Sequence, residues 1–217
     1  MQLDPDGAQL HPRAFTPAEI DILESLLGDA LQGRPGARLQ PVAGMADAIR
    51  PATRIASDVL GPPTRPVRAM LFDKNPGQNW ALGWHQDRTI AVRERRDTPG
   101  FTDWTVKHGI HHTVPPFEIL AHMLTARIHL DPVGADNAPL IVAPGSHAFD
   151  RIDEARIEAI SPTLARETCL AARGDVWLYS TPILHASDRA TAPCGRRVLQ
   201  ILYSAEDLPA GLDWLGV

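Results

Sequence analysis

Two histidines and one aspartate are the residues of this 217-residue chain best suited to chemistry: His85 and Asp87 on either side of Gln86, and His185 far downstream. Two imidazoles and a carboxylate are the ligand set of non-haem Fe(II) centres, which hold the ion on one face and leave open positions on the other. The local spacing fits that use, because residues i and i+2 of an extended strand share a face. A strand from Leu82 to Val92 is therefore expected, on which His85 and Asp87 reach one ion while Gln86 faces away. A histidine from a distant strand completes the set. Taken alone, His-x-Asp in a chain with nine histidines suits a surface pair and a hydrogen-bonded core histidine better than a metal site, so the surroundings must decide.

Other chemistry is less well provided for. His108, His111 and His112 have no carboxylate or thiol at ligand spacing, so no second metal site is expected there. Ser146-His147 lacks the surroundings of a nucleophile elbow and reads as a turn that orients a loop. Arg127, on a strand also carrying Met123, Thr125 and His129 on one face, gives that face a polarity that suits a ligand cavity, or else an internal salt bridge. Arg88, Arg93, Arg95, Arg96 and Lys107 are expected to make an entrance basic enough for a carboxylate or phosphate, unless they are solvated loop charges. Trp84 and Trp104 are candidate walls of the pocket.

The elements that must position these residues are legible in outline. Thr16, Pro17 and Glu19 make a helix start with a capping box, and Ile20, Leu23, Leu26 and Leu27 follow on one side until Gly33 and Pro35. A second helix is expected over Ala46 to Leu60, with Ile49, Ile55 and Val59 inward, ended by Gly61-Pro62-Pro63. From Arg65 the period changes. Strands are expected at Val67–Phe72, Leu82–Val92, Met123–Leu130, Leu140–Ala143, Thr168–Ala171, Asp175–Tyr179, Ile183–Ala186 and Arg197–Tyr203, with a surface helix at Asp153–Ile160. Helices followed by many short strands give an α+β class, and a small antiparallel barrel or jelly roll closes such strands without exposed edges. Residues 93–117 read as a long irregular segment directly after the metal strand, with the role of a lid or a substrate-recognition loop.

Composition bounds the partners. With 44% hydrophobic residues the chain is long enough for one domain with a sizeable core. A net charge of −5 with no basic stripe argues against bulk nucleic-acid binding. The start shows no basic segment leading into an apolar one, and no stretch approaches a membrane span, so a cytoplasmic protein without membrane contact is expected. Cys169 and Cys194 are expected as reduced thiols. No segment specifies an oligomeric state.

Four segments together resemble the phytanoyl-CoA dioxygenase (PhyH) family of Fe(II)/2-oxoglutarate-dependent oxygenases. They are Gly83-Trp84-His85-Gln86-Asp87; His129-Leu130-Asp131 with Asp136-Asn137-Ala138-Pro139-Leu140; Val142-Ala143-Pro144-Gly145-Ser146-His147; and Gly174-Asp175-Val176 through Leu184-His185-Ala186-Ser187 to Gly195-Arg196-Arg197. Order and spacing agree over roughly residues 65–205. The resemblance implies a single domain over 1–217: a helical part at 14–62 packed outside a double-stranded β-helix (jelly-roll, cupin-like) core at 65–205, with the lid at 93–117. It implies that His85, Asp87 and His185 ligate Fe(II), and that Arg196, eleven positions after His185, grips the far carboxylate of 2-oxoglutarate. A guanidinium suits that task because it holds a carboxylate through two parallel hydrogen bonds. Ser187 is implied as a hydroxyl donor to the same carboxylate, Arg127 as a neighbour of the cosubstrate or of an anionic substrate, and Arg197 as an outward-facing surface residue. With O2, the implied reaction hydroxylates an unactivated C–H bond of a small metabolite and releases succinate and CO2. Asp87 favours hydroxylation over halogenation, since related halogenases lack that carboxylate. Desaturation, cyclisation or epimerisation with the same cofactors, and a catalytically silent jelly-roll binding protein, are the alternatives. Two departures stand out. Ala138 occupies a position that is usually Gly, so Asn137 is expected to take the left-handed conformation, and the Asp188–Pro193 link differs from the family's.

Overall fold

The computed structural model describes residues 1–192 and 194–217; Pro193, at the end of the Asp188–Pro193 link, lies outside them. The chain runs through α1 (Leu3–Asp6), β1 (Ala8–His11), α2 (Pro17–Leu27), β2 (Gly36–Arg38), α3 (Met45–Ala48), α4 (Arg50–Leu60), β3 (Arg65–Lys74), β4 (Leu82–His85) and β5 (Ile90–Val92). It continues through β6 (Thr102–Lys107), β7 (Ile110–Val114), α5 (Phe117–Ala121), β8 (Leu124–His129), β9 (Leu140–Val142), α6 (Glu154–Ile160), β10 (Glu167–Cys169), β11 (Val176–Ser180), β12 (His185–Ser187) and β13 (Arg196–Ser204). Every strand pair is antiparallel.

A six-stranded sheet has the order β1-β11-β8-β13-β3-β2, and a four-stranded sheet the order β10-β9-β12-β4. Strand alternation divides the large sheet cleanly. Ala126, Ile128, Leu199, Ile201, Ala69 and Leu71 point to one face and pack against Ile20, Leu23, Met45, Ile49, Ala52 and Ala56 of the helical segment. Each fully buried Leu or Ile there contributes about 1.5–3 kcal/mol. Trp177 and Tyr179 point the other way and meet Leu140, Val142 and Cys169 of the small sheet. One face of the large sheet thus carries a helical layer while the other closes against the small sheet.

The capping box forms as expected: Glu19 N–H donates to Thr16 Oγ1 at 3.3 Å and Thr16 N–H donates to Glu19 Oε2 at 2.8 Å. The second helix differs from the expectation. It divides at Ile49 (φ −90°, ψ 9°), where Pro51 in the first turn of α4 has no N–H to continue the earlier ladder. Ala52 and Ala56 form its buried face, Ile55 is only partly buried, and Val59 points to solvent at 51% exposure. Small residues win because the helix lies close against the sheet.

The expected Leu82–Val92 strand also divides. β4 ends at His85 in the small sheet, and β5 belongs to a separate three-stranded sheet, β5-β7-β6. Between them the chain is held by side chains rather than a ladder. Gln86 Oε1 accepts from Ile152 N–H at 3.0 Å, and Arg68 donates to Thr89 O at 3.3 Å. Residues 93–117 are not irregular, because β6 and β7 form a hairpin across His108 and Gly109 (φ 53° and 74°). Two positive φ values in a two-residue loop are the hairpin turn that matches strand twist.

At the turn before β9, Ala138 itself takes the left-handed conformation (φ 52°), not Asn137. Asn137 is instead buried and accepts a hydrogen bond from Cys194 N–H at 3.3 Å. Cys169 is buried and Cys194 exposed, both as free thiols. No described helix is long and apolar enough to cross a membrane.

These two backbone positions give opposite expectations. Gly174 has φ +88°, and a Cβ there would lie 2.5 Å from Phe15 O. Gly174→Ala is expected to lose about 2–4 kcal/mol in urea denaturation, whereas Ala138→Gly is expected to be neutral or to gain up to about 1 kcal/mol. Equal losses from both would contradict this backbone.

Candidate functional site

The site begins with a register. β12 lies between β9 and β4 so that His185 sits directly opposite His85 on one side and Val142 on the other. Residues opposite one another in an antiparallel pair project to the same face, and the two imidazole centroids are 4.2 Å apart. Asp87 joins them from just beyond the end of β4, so the shared strand face expected for His85 and Asp87 is replaced by a strand end and the loop that follows it. Gln86 does face away, buried against Ile152. Ligand atoms of His85, Asp87 and His185 all lie within 4.8 Å of one another.

The donor set suits a divalent metal. His85 Nδ1 donates to Gly83 O at 2.8 Å and His185 Nδ1 to Ile183 O at 2.9 Å, which leaves each Nε2 lone pair for an ion. Burial first, and then His85, holds the His185 imidazole neutral, the form that ligates. Asp87 Oδ2 is buried with no hydrogen-bond partner. An unpartnered buried carboxylate oxygen costs at least about 1–3 kcal/mol, and a coordinated cation removes that cost.

These three residues open onto a cavity of about 410 Å³ between the two sheets. Its apolar walls include Met70, Phe72, Trp80 and Leu140. Its charged walls are Arg38, Arg68, Lys74, Arg127 and Arg196, with Asp87 the one carboxylate among the lining residues. Arg196 is 3% exposed; it donates to Ala138 O and its Nε has no partner. Arg127 donates to Gln200 Oε1 at 2.9 Å, lies over the Phe72 ring, and also has an unpartnered Nε. The salt bridge considered for it is absent among the described residues. Ser187 lines the cavity, but its hydroxyl proton goes to Ala138 O at 3.0 Å, and its oxygen accepts from Lys74 Nζ at 2.8 Å.

Lys74 is a cavity cation that the sequence reading missed, as are Arg68 and Arg38. The signal was present in β3, where Arg68, Met70, Phe72 and Lys74 alternate with the core residues Val67, Ala69 and Leu71. Charged residues at both ends of one otherwise apolar strand face mark a ligand wall, as Arg127 does on β8. Burial, followed by Arg196 and Arg127, pulls the Lys74 ammonium down to about 8.

Other expected residues lie elsewhere. Arg95 pairs with Asp97 and Arg96 with Glu94 at the surface, and no residue of 93–117 lines the cavity among the described residues. Arg88 donates to Ile152 O, outside it. Trp84 stacks against Arg166 and Trp104 against Arg95, so Trp80 is the indole at the cavity. Arg197 faces away from the cavity as expected, yet it is half-buried in ion pairs with Asp131 and Glu24. Ser146 is structural: its hydroxyl donates to Ala143 O at 2.6 Å and accepts from Leu184 N–H at 2.9 Å.

The family model described as "Phytanoyl-CoA dioxygenase (PhyH)" matches residues 21–198. Among solved structures, the epimerase SnoN in complex with Fe3+, alpha ketoglutarate and nogalamycin RO superposes with a TM-score of 0.67 at 14% identity, covering 96% of this chain and 88% of that one. The non-heme alpha ketoglutarate dependent carbocyclase SnoK from nogalamycin biosynthesis gives 0.65 at 18% identity, covering 93% and 80%. EctD from S. alaskensis with bound Fe gives 0.66 at 17% identity, covering 94% and 74%. At these identities the likeness is one of fold. No curated protein sequence matches the chain.

Removal of any one ligand is expected to weaken anaerobic Fe(II) binding by at least about a hundredfold, since changes one shell further out already cost 10–100-fold. Isothermal titration of His85→Ala, Asp87→Ala and His185→Ala checks this. Undiminished binding by any of the three would remove that residue from the site.

Proposed function

This chain belongs to the phytanoyl-CoA dioxygenase family, and from that premise we propose that it hydroxylates an unactivated C–H bond of a small metabolite at the His85–Asp87–His185 centre. The family uses Fe(II), 2-oxoglutarate and O2, and a member is a 2-oxoglutarate-dependent non-haem iron enzyme. We read residues 1–217 as one such domain, a cupin-like double-stranded β-helix. Two antiparallel sheets closing on a ligand cavity, with helices over the outer face of the larger one, support that reading. A cytoplasmic small-molecule enzyme, without nucleic acid or membrane as partner, belongs to the same proposal.

The observation that carries it is the pairing of a metal-ready triad with an unpartnered guanidinium in one cavity. His85, Asp87 and His185 would hold the ion. When bound, ferrous iron with 2-oxoglutarate supplies the oxidising power, O2 being reduced as the 2-oxo acid loses CO2 and becomes succinate. The chain's own residues do the positioning. Arg196 has Nε free for the cosubstrate's far carboxylate, while its bond to Ala138 O fixes the guanidinium plane. Lys74, held by Ser187 Oγ and by Asp188 O at 2.9 Å, adds a second charge at that end, and Arg127 a third. Phe72 lies under Arg127 and Trp80 under Lys74 at that same end, and Leu140 adds apolar wall.

A second outcome at the same centre is favoured by the shared fold of an epimerase and a carbocyclase. The two are separated by products. Succinate released with one atom from labelled O2 in the product supports hydroxylation. Succinate released while the other product carries no such label supports epimerisation, cyclisation or desaturation. No succinate from folded, iron-loaded protein given a metabolite pool would leave a binding protein. Arg196→Met is expected to raise the 2-oxoglutarate KM at least about tenfold, the cost of losing one charge-assisted contact.

Lys74 gives a pH test with opposite signs in one window. Its folded value of about 8 lies below its ordinary 10.5, so the unfolded chain binds more protons between them. The Lys74 contribution to stability of the unliganded fold therefore rises with pH across that range. Affinity for 2-oxoglutarate is expected to fall over the same range as the ammonium loses its charge. Lys74→Met should flatten both profiles. A wild-type affinity that is constant from pH 7 to 9.5 would exclude Lys74 from the cosubstrate's end.

A further inference from the structure

We propose that the cavity contains a second anion subsite, formed by Arg38 and Arg68, which binds an oxyanion group of the substrate. The claim rests on the oxygenase reading above, because it assigns to substrate the positive charge that the cosubstrate leaves unmatched.

The cations lining the cavity fall into two groups along β3. Lys74 pairs in register with Arg196, and Arg127 lies near both. That is the end suited to 2-oxoglutarate. Arg68 is six residues away on the same strand face, about 20 Å along an extended chain. Arg38 on β2 sits opposite Met70, so it projects to the face that carries Arg68 and is its diagonal neighbour. Distances of that kind lie within reach of two long side chains. The two ends are therefore separate, and one five-carbon dicarboxylate cannot neutralise both.

The fold leaves donor capacity unused on both arginines of the second group. Arg68 is 7% exposed, and its one hydrogen bond, to Thr89 O, is long at 3.3 Å. The Nε atoms of Arg38 and Arg68 are both buried without a partner. Among the described residues neither forms an ion pair. The nearest counter-charge to Arg68 is Asp87, whose carboxylate the metal would use. A planar or tetrahedral oxyanion that accepts two N–H bonds at once is the partner that guanidinium groups with unused donors suit best. Metal (+2), Asp87 (−1) and 2-oxoglutarate (−2) together leave one negative charge, against the five lining cations. The loop arginines cannot be the recognition element, since Arg95 and Arg96 are already paired outside the cavity. The position beside Asp87 and Thr89 would anchor the anion close to the metal, so the oxidised carbon would lie only a few bonds from the charged group.

The test uses full-length protein loaded with Zn(II), which cannot turn over, and saturated with 2-oxoglutarate. Methylphosphonate and propionate are the probes, one tetrahedral and one planar, each followed by saturation-transfer NMR. At least one is expected to bind saturably beside the cosubstrate, and the tighter of the two names the group as phosphate-like or carboxylate. Arg68→Met and Arg38→Met are each expected to weaken that binding at least tenfold, while the loop control Arg95→Met stays within twofold. Arg38 is half-buried on an edge strand, so its variant keeps the test alive should Arg68→Met fail to fold. The inference is overturned if neither probe binds, if 2-oxoglutarate displaces both, or if the arginine variants bind as wild type does. Titration of 2-oxoglutarate into the same Zn(II) protein separates the two claims. If it does not bind, the oxygenase reading fails, and the arginine dependence measured without cosubstrate still decides the subsite.

Discussion

A single cross-strand register underlies the site. His185 is useful only because it lies opposite His85, and a slip of one residue would turn its imidazole to the other face of the small sheet. β12 has only three residues, so its own ladder is a weak constraint. The neighbourhood supplies the rest. Ser146 Oγ accepts from Leu184 N–H, Ala143 N–H donates to Leu184 O at 2.9 Å, and Lys74 holds Ser187 at the other end. The turn containing Ser146 and the cation at Lys74 thus fix β12 and, with it, the place of His185.

The same economy explains Ala138. It keeps a left-handed backbone that a β-carbon disfavours, and its carbonyl receives both Ser187 and Arg196. One peptide therefore aims the guanidinium and locks the hydroxyl that holds Lys74. Opposite, Gln86 and Arg68 take the chain from one sheet to another just after His85, which brings Asp87 beside the two imidazoles from a loop. The cavity that results is rich in unpartnered positive charge. That is unfavourable for an empty protein and favourable for one that binds anions.

Much of this was legible in the residues. The convergence of His85, Asp87 and His185, the capping box of α2, the alternating faces of β8 and the position of Arg196 in the cavity all follow from local pattern or from motif order. What was not legible depended on contacts distant in sequence. The strand through His85 stops because Gln86 finds Ile152, which periodicity cannot reveal. The helix before β3 buries alanines in place of Val59 because its distance from the sheet is set by packing. The 93–117 hairpin was hidden by its polar β6, though Gly109 after His108 was a turn signal. The loop arginines Arg95 and Arg96 pair with Asp97 and Glu94 and do not make the basic entrance. Beside Arg127 and Arg196, the cavity's charge comes from β2 and β3, where Arg68 and Lys74 share a period-2 face.

The central claim is that His85, Asp87 and His185 present one ferrous ion to 2-oxoglutarate. Visible absorption of the protein under anaerobic conditions tests it directly. Fe(II) and 2-oxoglutarate added together should give a weak charge-transfer band that neither gives alone and that Asp87→Ala abolishes. Folded, iron-loaded protein that shows no such band at saturating 2-oxoglutarate would contradict the account.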